Sequence, residues 1–282
     1  MIKRKSNTRL TLSLDIIRKI KSGAYTGYHE LGIVKHQVTL HDTITVEENR
    51  SMVLECDNEM VPCDGRNICW KAAELVKRRY GIDKNVRIAI EKRIPVMGGL
   101  AGGSANAATV IFILDQLWEL ELSKVQKKEI GRELGMDVPF FFEGGTAFDT
   151  ETTGLLQKVS PSLQFVFVLA QPPFGVSTGQ AYGGIDYDLV GQRAVDTEQV
   201  LAALVSGDRI AVLKSMHNDF ELSVFTKYPA LLDLREKMLA AGCEQAVMSG
   251  SGSTMVGVVP DLHTAQKVRG SLDCNTIVCE TL

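Results

Sequence analysis

Between Lys92 and Trp118 the chain reads KRIPVMGGLAGGSANAATVIFILDQLW, and this stretch limits the possible folds more than any other. A strand ended by proline passes through a run of glycines into an apolar segment, the way a chain presents a helix N-terminus to an anion. The first-turn N–H groups of a helix lack intrahelical acceptors, and the macrodipole adds partial positive charge beside them. Glycine lets the backbone close around an anion with no Cβ in the way. A polyphosphate is therefore the first ligand to expect; the plainer alternative is a glycine-rich turn that only lets a buried helix pack closely. From Ser104 to Leu117 the residues Ala107, Ala108, Val110, Ile111, Ile113, Leu114 and Leu117 are apolar on more than one side, which predicts a buried, rigidly aimed helix.

Two common phosphate fingerprints are excluded. No Gly-Lys pair followed by Ser or Thr closes the loop, so it is not a Walker motif, and G-x-G-x-x-G is absent from Gly98 to Gly103. The loop also lies too far along the chain to be the first βα turn of a dinucleotide fold.

The rest of the chain predicts the setting of this loop. Leu10, Leu12, Leu14 and Ile16 alternate as one face of a half-buried strand, and Val38, Leu40, Ile44 and Val46 repeat the pattern, with a loop from Lys19 to Gly27 and GYHEL between the strands. Asn67 to Tyr80 has helical spacing and ends at Gly81, and Ser123 is placed to cap a helix running to Leu134. Strands are predicted at Val86 to Ile90, Gly145 to Phe148, Leu155 to Val159 and Leu163 to Ala170. Gln171 to Asp188, rich in glycine and proline, reads as a hinge and binding loop. Helices follow at Thr197 to Val205, Arg209 to Met216 and Pro229 to Ala241. The glycine-rich turn SGSGS (Ser249 to Ser253) then separates strands Gln245 to Met248 and Met255 to Val259, before a helix from Leu262 and a last strand. This order predicts an α+β chain of two domains rather than one alternating sheet, divided as 1–155 and 156–282.

With 282 residues, 45% hydrophobic and 23% charged, the chain can bury two cores. A net charge of −3 and short charge runs argue against nucleic acid or an anionic membrane as the main partner and point to a small-molecule substrate. No apolar run approaches a membrane span, so a cytoplasmic protein is expected. The six cysteines form no C-x-x-C pair and read as reduced thiols at core or near-core positions, with no protein-built metal site.

The order PVMGGLAGGSANAA, then GMDVPFF, then MSGSGST resembles the three-motif layout of the GHMP small-molecule kinases. TGYHEL, HQVTLHDTITVE, GRNICWKAAELV, PPFGVSTGQAY and HNDFE extend the resemblance to nearly the whole chain. It implies a ribosomal protein S5 domain 2-like N-terminal domain that binds ATP and a ferredoxin-like C-terminal domain that completes the substrate site. It also implies ATP and Mg²⁺ as cofactors, and a monomer or homodimer. The flanking detail is most similar to the member that phosphorylates a tertiary alcohol of a cytidine-diphosphate-linked methylerythritol. Alternatives on the same residues are a GHMP kinase of another small alcohol or sugar, or a catalytically weak nucleotide-binding paralogue.

Carried over by position, the resemblance makes Asp137 the catalytic base, with Arg9 as the neighbouring cation. Asn67, Ile68, Lys92 and Pro95 fall on the ATP site, and Gly98, Gly99, Leu100, Gly102, Gly103 and Ser104 on its phosphates. Thr11, Tyr28, His29, Asp137 and Tyr182 fall on the substrate, with Tyr28, His29 and Tyr182 around a cytosine ring. A base between aromatic faces and fixed by edge hydrogen bonds is a sufficient pocket. The chain departs from the pattern at Arg9 and Thr11, where the family has Lys and Asn, at Met97, Ala101 and Ala105, where it has glycine or serine, and at ETTG (Glu151 to Gly154), where it has a G-x-G-E turn. His36, His41, His217 and His263 are expected to be structural.

Overall fold

A computed structural model describes residues 1–160, 163–188, 190–192 and 194–282. Its strands are β1 (Ile2–Lys19), β2 (His29–Asn49), β3 (Val53–Cys56), β4 (Asn85–Glu91), β5 (Thr146–Asp149), β6 (Leu156–Val159), β7 (Val166–Gln171), β8 (His217–Asn218), β9 (Gln245–Met248), β10 (Met255–Val259) and β11 (Asn275–Glu280). Its helices are α1 (Ile68–Tyr80), α2 (Gly102–Leu117), α3 (Lys124–Leu134), α4 (Phe140–Glu143), α5 (Thr178–Gly183), α6 (Thr197–Ser206), α7 (Arg209–Ser215), α8 (Phe220–Lys227), α9 (Pro229–Ala241) and α10 (Leu262–Ser271). The chain divides into two compact units. One comprises Met1–Thr8, Leu40–Val96 and Ala101–Gly144, the other Arg9–Thr39, Met97–Leu100 and Gly145–Leu282.

In the first unit β2 runs antiparallel to β4, pairing Ile44 with Ile90 and Val46 with Ile88, and β3 joins β4 in parallel. The register brings apolar side chains of one phase to one face; α1 packs on β4, and α2 packs on α1. α1 buries Cys69, Ala72, Ala73, Leu75 and Val76 and stops at Gly81 in the left-handed conformation. Ser123 caps α3 in a reciprocal capping box with Gln126. α2 is buried along most of its length, as its apolar residues on several sides predict.

The second unit carries an antiparallel sheet in the order β11-β7-β10-β9, with an apolar core that includes Leu231, Met238, Met248, Met255, Ala265 and Val268. In the same unit β8 pairs in parallel with β1 through Ser13 and His217, and β5 pairs with β2 and with β6.

Several local expectations need correction. β1 is buried on both faces in its middle: Arg9, Thr11 and Ser13 are as enclosed as Leu10, Leu12 and Leu14, because the polar face is occupied by hydrogen bonds to Ser249, Thr197 and Gly99. GYHEL does not lie wholly between strands, since β2 starts at His29. The stretch 171–188 contains α5, set by a Ser177–Gln180 capping box that outweighs its glycines. β3, β8 and α8 carry too short or too mixed a pattern to announce themselves. All six cysteines are free thiols, but Cys63 is exposed rather than near the core.

Candidate active site

In the first unit the strand exit that leads to the glycine loop is organised by Asp42. This carboxylate is fully buried. Its Oδ2 accepts from Lys92 Nζ at 2.7 Å and from Asn106 Nδ2 at 2.8 Å, and its Oδ1 accepts from the amides of Arg93 at 2.7 Å and Ile94 at 2.8 Å. Lys92 Nζ also donates to Ile94 O at 2.6 Å. One side chain thus ties β2, the exit of β4 and the second turn of α2 together. Sequence reasoning passed over Asp42, although a signal was present: it stands in phase with Val38, Ile44 and Val46 on the buried face of its strand. A carboxylate in that phase must find partners.

Pro95 is half-buried beyond this exit. α2 then begins at Gly102 with Ala101 as its cap residue, and among the described residues no side chain caps it. Asn67, Ser123, Asp196 and Asp261 each cap a helix through a side-chain oxygen, whereas α4, α8 and α9 share with α2 the lack of one. Gly102, Gly103 and Ser104 therefore form an uncapped first turn of a 16-residue helix, an arrangement that can receive an anion. A Cβ on Gly102 would stand 2.8 Å from Ile94 Cγ2, and one on Gly103 3.6 Å from Ile68 Cγ2. Asn67 caps α1 by accepting from Cys69 N at 2.8 Å, while its Nδ2 donates to Pro62 O at 2.7 Å. Asp137 is half-buried in the turn between α3 and α4.

In the second unit Gly98 is buried, Leu100 is fully enclosed, and Gly99 is the point of closest approach. Gly99 has φ +74°, and a Cβ there would lie 2.1 Å from Ser249 O, so only glycine fits. Its carbonyl accepts from Arg9 Nη1 at 3.1 Å and from Ser249 Oγ at 3.2 Å. Arg9 Nη1 also donates to Thr11 Oγ1 at 3.0 Å, and Thr11 N donates to Ser249 Oγ at 3.3 Å. The structure thus brings Arg9, Thr11 and Gly99 together and adds Ser249, a residue of the SGSGS turn to which the sequence attached no role.

The HNDFE segment braces that turn. Asn218 is fully buried; its Nδ2 donates to Met248 O at 2.7 Å and Gly250 O at 2.8 Å, while Glu221 Oε1 accepts from Met248 N at 2.8 Å. Asp219 Oδ2 accepts from Ile16 N at 2.8 Å, and His217 Nε2 lies 2.5 Å from Asp15 Oδ1. Burial pushes the Asp15 carboxyl up, but hydrogen bonds from His217 and from the Thr197 amide outweigh it and hold the group below its ordinary value. Glu151, in the ETTG turn, sits at φ +53° and shares the fully buried Lys35 with Asp149, at 2.9 and 2.8 Å.

Of the three rings read as a base pocket, two meet. His29 stacks on Tyr182 with centroids 4.4 Å apart and planes inclined by 25°. Tyr28 is mostly exposed and packs edge-on against Tyr25 at 5.9 Å. Tyr182 rests on the edge of Phe220 of HNDFE at 4.9 Å. Burial, with Lys19 nearby, moves the His29 pKa down, so the ring is neutral near pH 7. Among the described residues no three His, Cys, Asp or Glu side chains group as a metal cage, and no helix is long and apolar enough to cross a membrane.

Residues 67–145 match the family described as GHMP kinases N terminal domain, and residues 200–277 the one described as GHMP kinases C terminal. A 4-diphosphocytidyl-2-C-methyl-D-erythritol kinase of Clostridium botulinum strain Hall is 36% identical over 266 residues, covering 93% of this chain and 92% of that protein. A kinase of the same name from Alkaliphilus oremlandii is 37% identical over 265 residues, covering 93% and 89%. Among solved structures, a crystal structure of a 4-(cytidine 5'-diphospho)-2C-methyl-D-erythritol kinase matches with a TM-score of 0.80 at 29% identity, covering 99% of this chain and 98% of that one. A homoserine kinase from Cytophaga hutchinsonii, with a TM-score of 0.72 at 15% identity and covering 98% and 94%, shares the fold.

Proposed function

The chain belongs to the GHMP kinases, and from that premise we propose that it transfers the γ-phosphoryl group of ATP to the 2-hydroxyl of 4-diphosphocytidyl-2-C-methyl-D-erythritol, a step toward isoprenoid precursors. The observation that carries this reading is likeness at more than a third identity, over nearly the full length, to kinases of that name. The uncapped N-terminus of α2 supports the phosphate part of it.

In this reading the substrate oxygen attacks the γ-phosphorus, its proton passes to the Asp137 carboxylate, and the bond to the bridging oxygen of ADP breaks. Such a transfer depends mainly on positioning and on stabilising charge. In the same reading Gly98, Gly99, Gly102, Gly103 and Ser104 bind the phosphates, Asn67, Ile68 and Lys92 the adenine, and Pro95 and Leu100 belong to the ATP site. Residues 1–155 serve ATP, and 156–282 complete the substrate site. Because no three His, Cys, Asp or Glu side chains among the described residues form a cage, Mg²⁺ would enter with the nucleotide, needing few protein ligands, and would supply neutralisation of the charge on the phosphates. His29 and Tyr182 hold the cytosine, and Arg9 and Thr11 shape the reacting end. The reaction is a cytoplasmic one.

Arg9 favours a second reading. Its guanidinium is engaged on Gly99 O and Thr11, and a planar fork is no substitute for an ammonium point charge; a kinase of another small alcohol would accommodate that change. ADP release, measured with the cytidine-diphosphate substrate and a panel of sugars and polyols, separates the two. The expected outcome is turnover of the former, with Asp137→Ala losing at least about a hundredfold in kcat while keeping its circular dichroism spectrum. Turnover confined to another alcohol would overturn the first reading.

A further inference from the structure

Tyr187 stands in the 171–188 stretch but among none of the residues assigned to the site, yet its hydroxyl is 2.5 Å from His29 Nε2. The two rings are inclined by only 11°, with centroids 6.0 Å apart. Near-parallel rings whose atoms approach this closely do not overlap face to face, which requires about 3.5 Å between planes. They lie side by side, close to one plane, and Tyr182 covers the imidazole part of that plate. Tyr187 itself remains 46% exposed.

The chemistry of the pair sets a direction. A phenol O–H, with a pKa of about 10, is a far better donor than a neutral imidazole N–H, and a bare imidazole nitrogen is a better acceptor than a phenol oxygen. The hydroxyl therefore donates to Nε2, and the proton of the neutral ring resides on Nδ1, because the tautomer follows the hydrogen bond made by the other nitrogen. Among the described residues Nδ1 has no hydrogen-bond partner, which leaves Nδ1–H as a donor for a ligand.

We propose that Tyr187 is a specificity-determining positioning residue that holds His29 as an Nδ1–H donor, so that the site accepts a pyrimidine with a bare ring nitrogen at its 3-position, a cytosine, and rejects uracil. This rests on the base-binding reading of His29 given above. Cytosine carries an acceptor at N3, whereas uracil carries N3–H, so two donors would face each other. A site built to donate there discriminates because the wrong base sets two donors against each other and leaves both unpaired. The other tautomer, with Nδ1 bare, would reverse the preference.

The test uses the full chain, with CMP and UMP as calorimetric probes and ¹⁵N NMR of His29. Wild type should show the His29 proton on Nδ1 and bind CMP more tightly than UMP. Tyr187→Phe should move the proton toward Nε2 and lower the CMP:UMP affinity ratio by about tenfold, the worth of one hydrogen bond. KM for the cytidine substrate should rise while kcat stays unchanged. In a His29→Ala background, Tyr187→Phe should alter the ratio no further. A His29 proton on Nε2 in wild type, equal binding of CMP and UMP, or an unchanged ratio in Tyr187→Phe would each overturn the proposal. Selective CMP binding without phosphorylation of the cytidine-diphosphate substrate would leave it standing and sink the kinase substrate reading instead.

Discussion

His36 and Asp42 stand six positions apart on β2 and are both fully buried. The His36 ring spans Thr146 Oγ1 and Thr281 Oγ1, each at 2.8 Å, with Phe165 and Phe167 edge-on, and burial pushes its pKa down from 6.5 to about 4. The unfolded chain takes up this proton below pH 6.5 while the folded one does not, so the contribution is complete above that pH. It is lost progressively as pH falls toward 4, by about 3 kcal/mol in all. Urea titrations at pH 7 and pH 4.5 should show this loss, and His36→Gln should flatten it. Asp42 holds the opposite kind of group, an ammonium buried against it. Asp42→Ala should cost about 3–5 kcal/mol because Lys92 is left as an uncompensated buried charge, and Asp42→Asn, which keeps the shape, should cost less; chemical denaturation measures both. Asp42 was legible only as an anomaly of phase, and Lys35, which stands among wholly buried neighbours, gave no periodic signal at all.

At the scale of elements, the loop between β4 and α2 shows what its composition does. Met97 and Ala101 have φ +56° and +53°, a region in which a non-glycine residue is strained by about 1–2 kcal/mol. Ala101→Gly should therefore raise stability slightly, by about 0.5–1 kcal/mol after the added chain entropy of glycine, which the midpoint of a urea transition would show. Gly99→Ala is the opposite case. Its Cβ would meet a backbone oxygen at 2.1 Å, which a main chain cannot yield cheaply, and a loss of about a hundredfold or more in kcat/KM is the expected outcome of displacing a loop proposed to hold the phosphates. The glycines, the buried helix and its start were readable from residue types alone. The braces were not: Ser249 and Asn218 act on residues 150 and 30–32 positions away, and no local pattern encodes a partner at that range. α5 was hidden for another reason, since a capping box of two side chains decides a short helix that glycine content argues against.

For the molecule as a whole, the order of strands and helices and the family membership were accessible from the sequence, because long periodic elements and several motifs in fixed order are robust signals. The membership of the two units was not. Arg9–Thr39 groups with residues beyond 145, where β1 pairs with β8 and β2 with β5, and alternation announces neither pairing. Asp15 meets His217 at a separation of 202 residues, Ile16 meets Asp219 at 203, Thr11 meets Ser249 at 238 and His36 meets Thr281 at 245. The first unit, by contrast, closes Asp42 onto Lys92 and Asn106 at separations of 50 and 64. Loops that long are slow to close, and non-local contacts slow folding. In pulse-labelled hydrogen exchange during refolding, amides of Ile44 to Val46 and Ile88 to Ile90 should gain protection before those of Ser13 to Ile16. The HNDFE segment then has a meaning in time as well as in space. On the ribosome, the early strand that carries Arg9 and Thr11 must wait for residues 217–219 before Asp15 and Ile16 find their partners, and for Ser249 before Thr11 does, so this strand is the first to be made and among the last to be tied down.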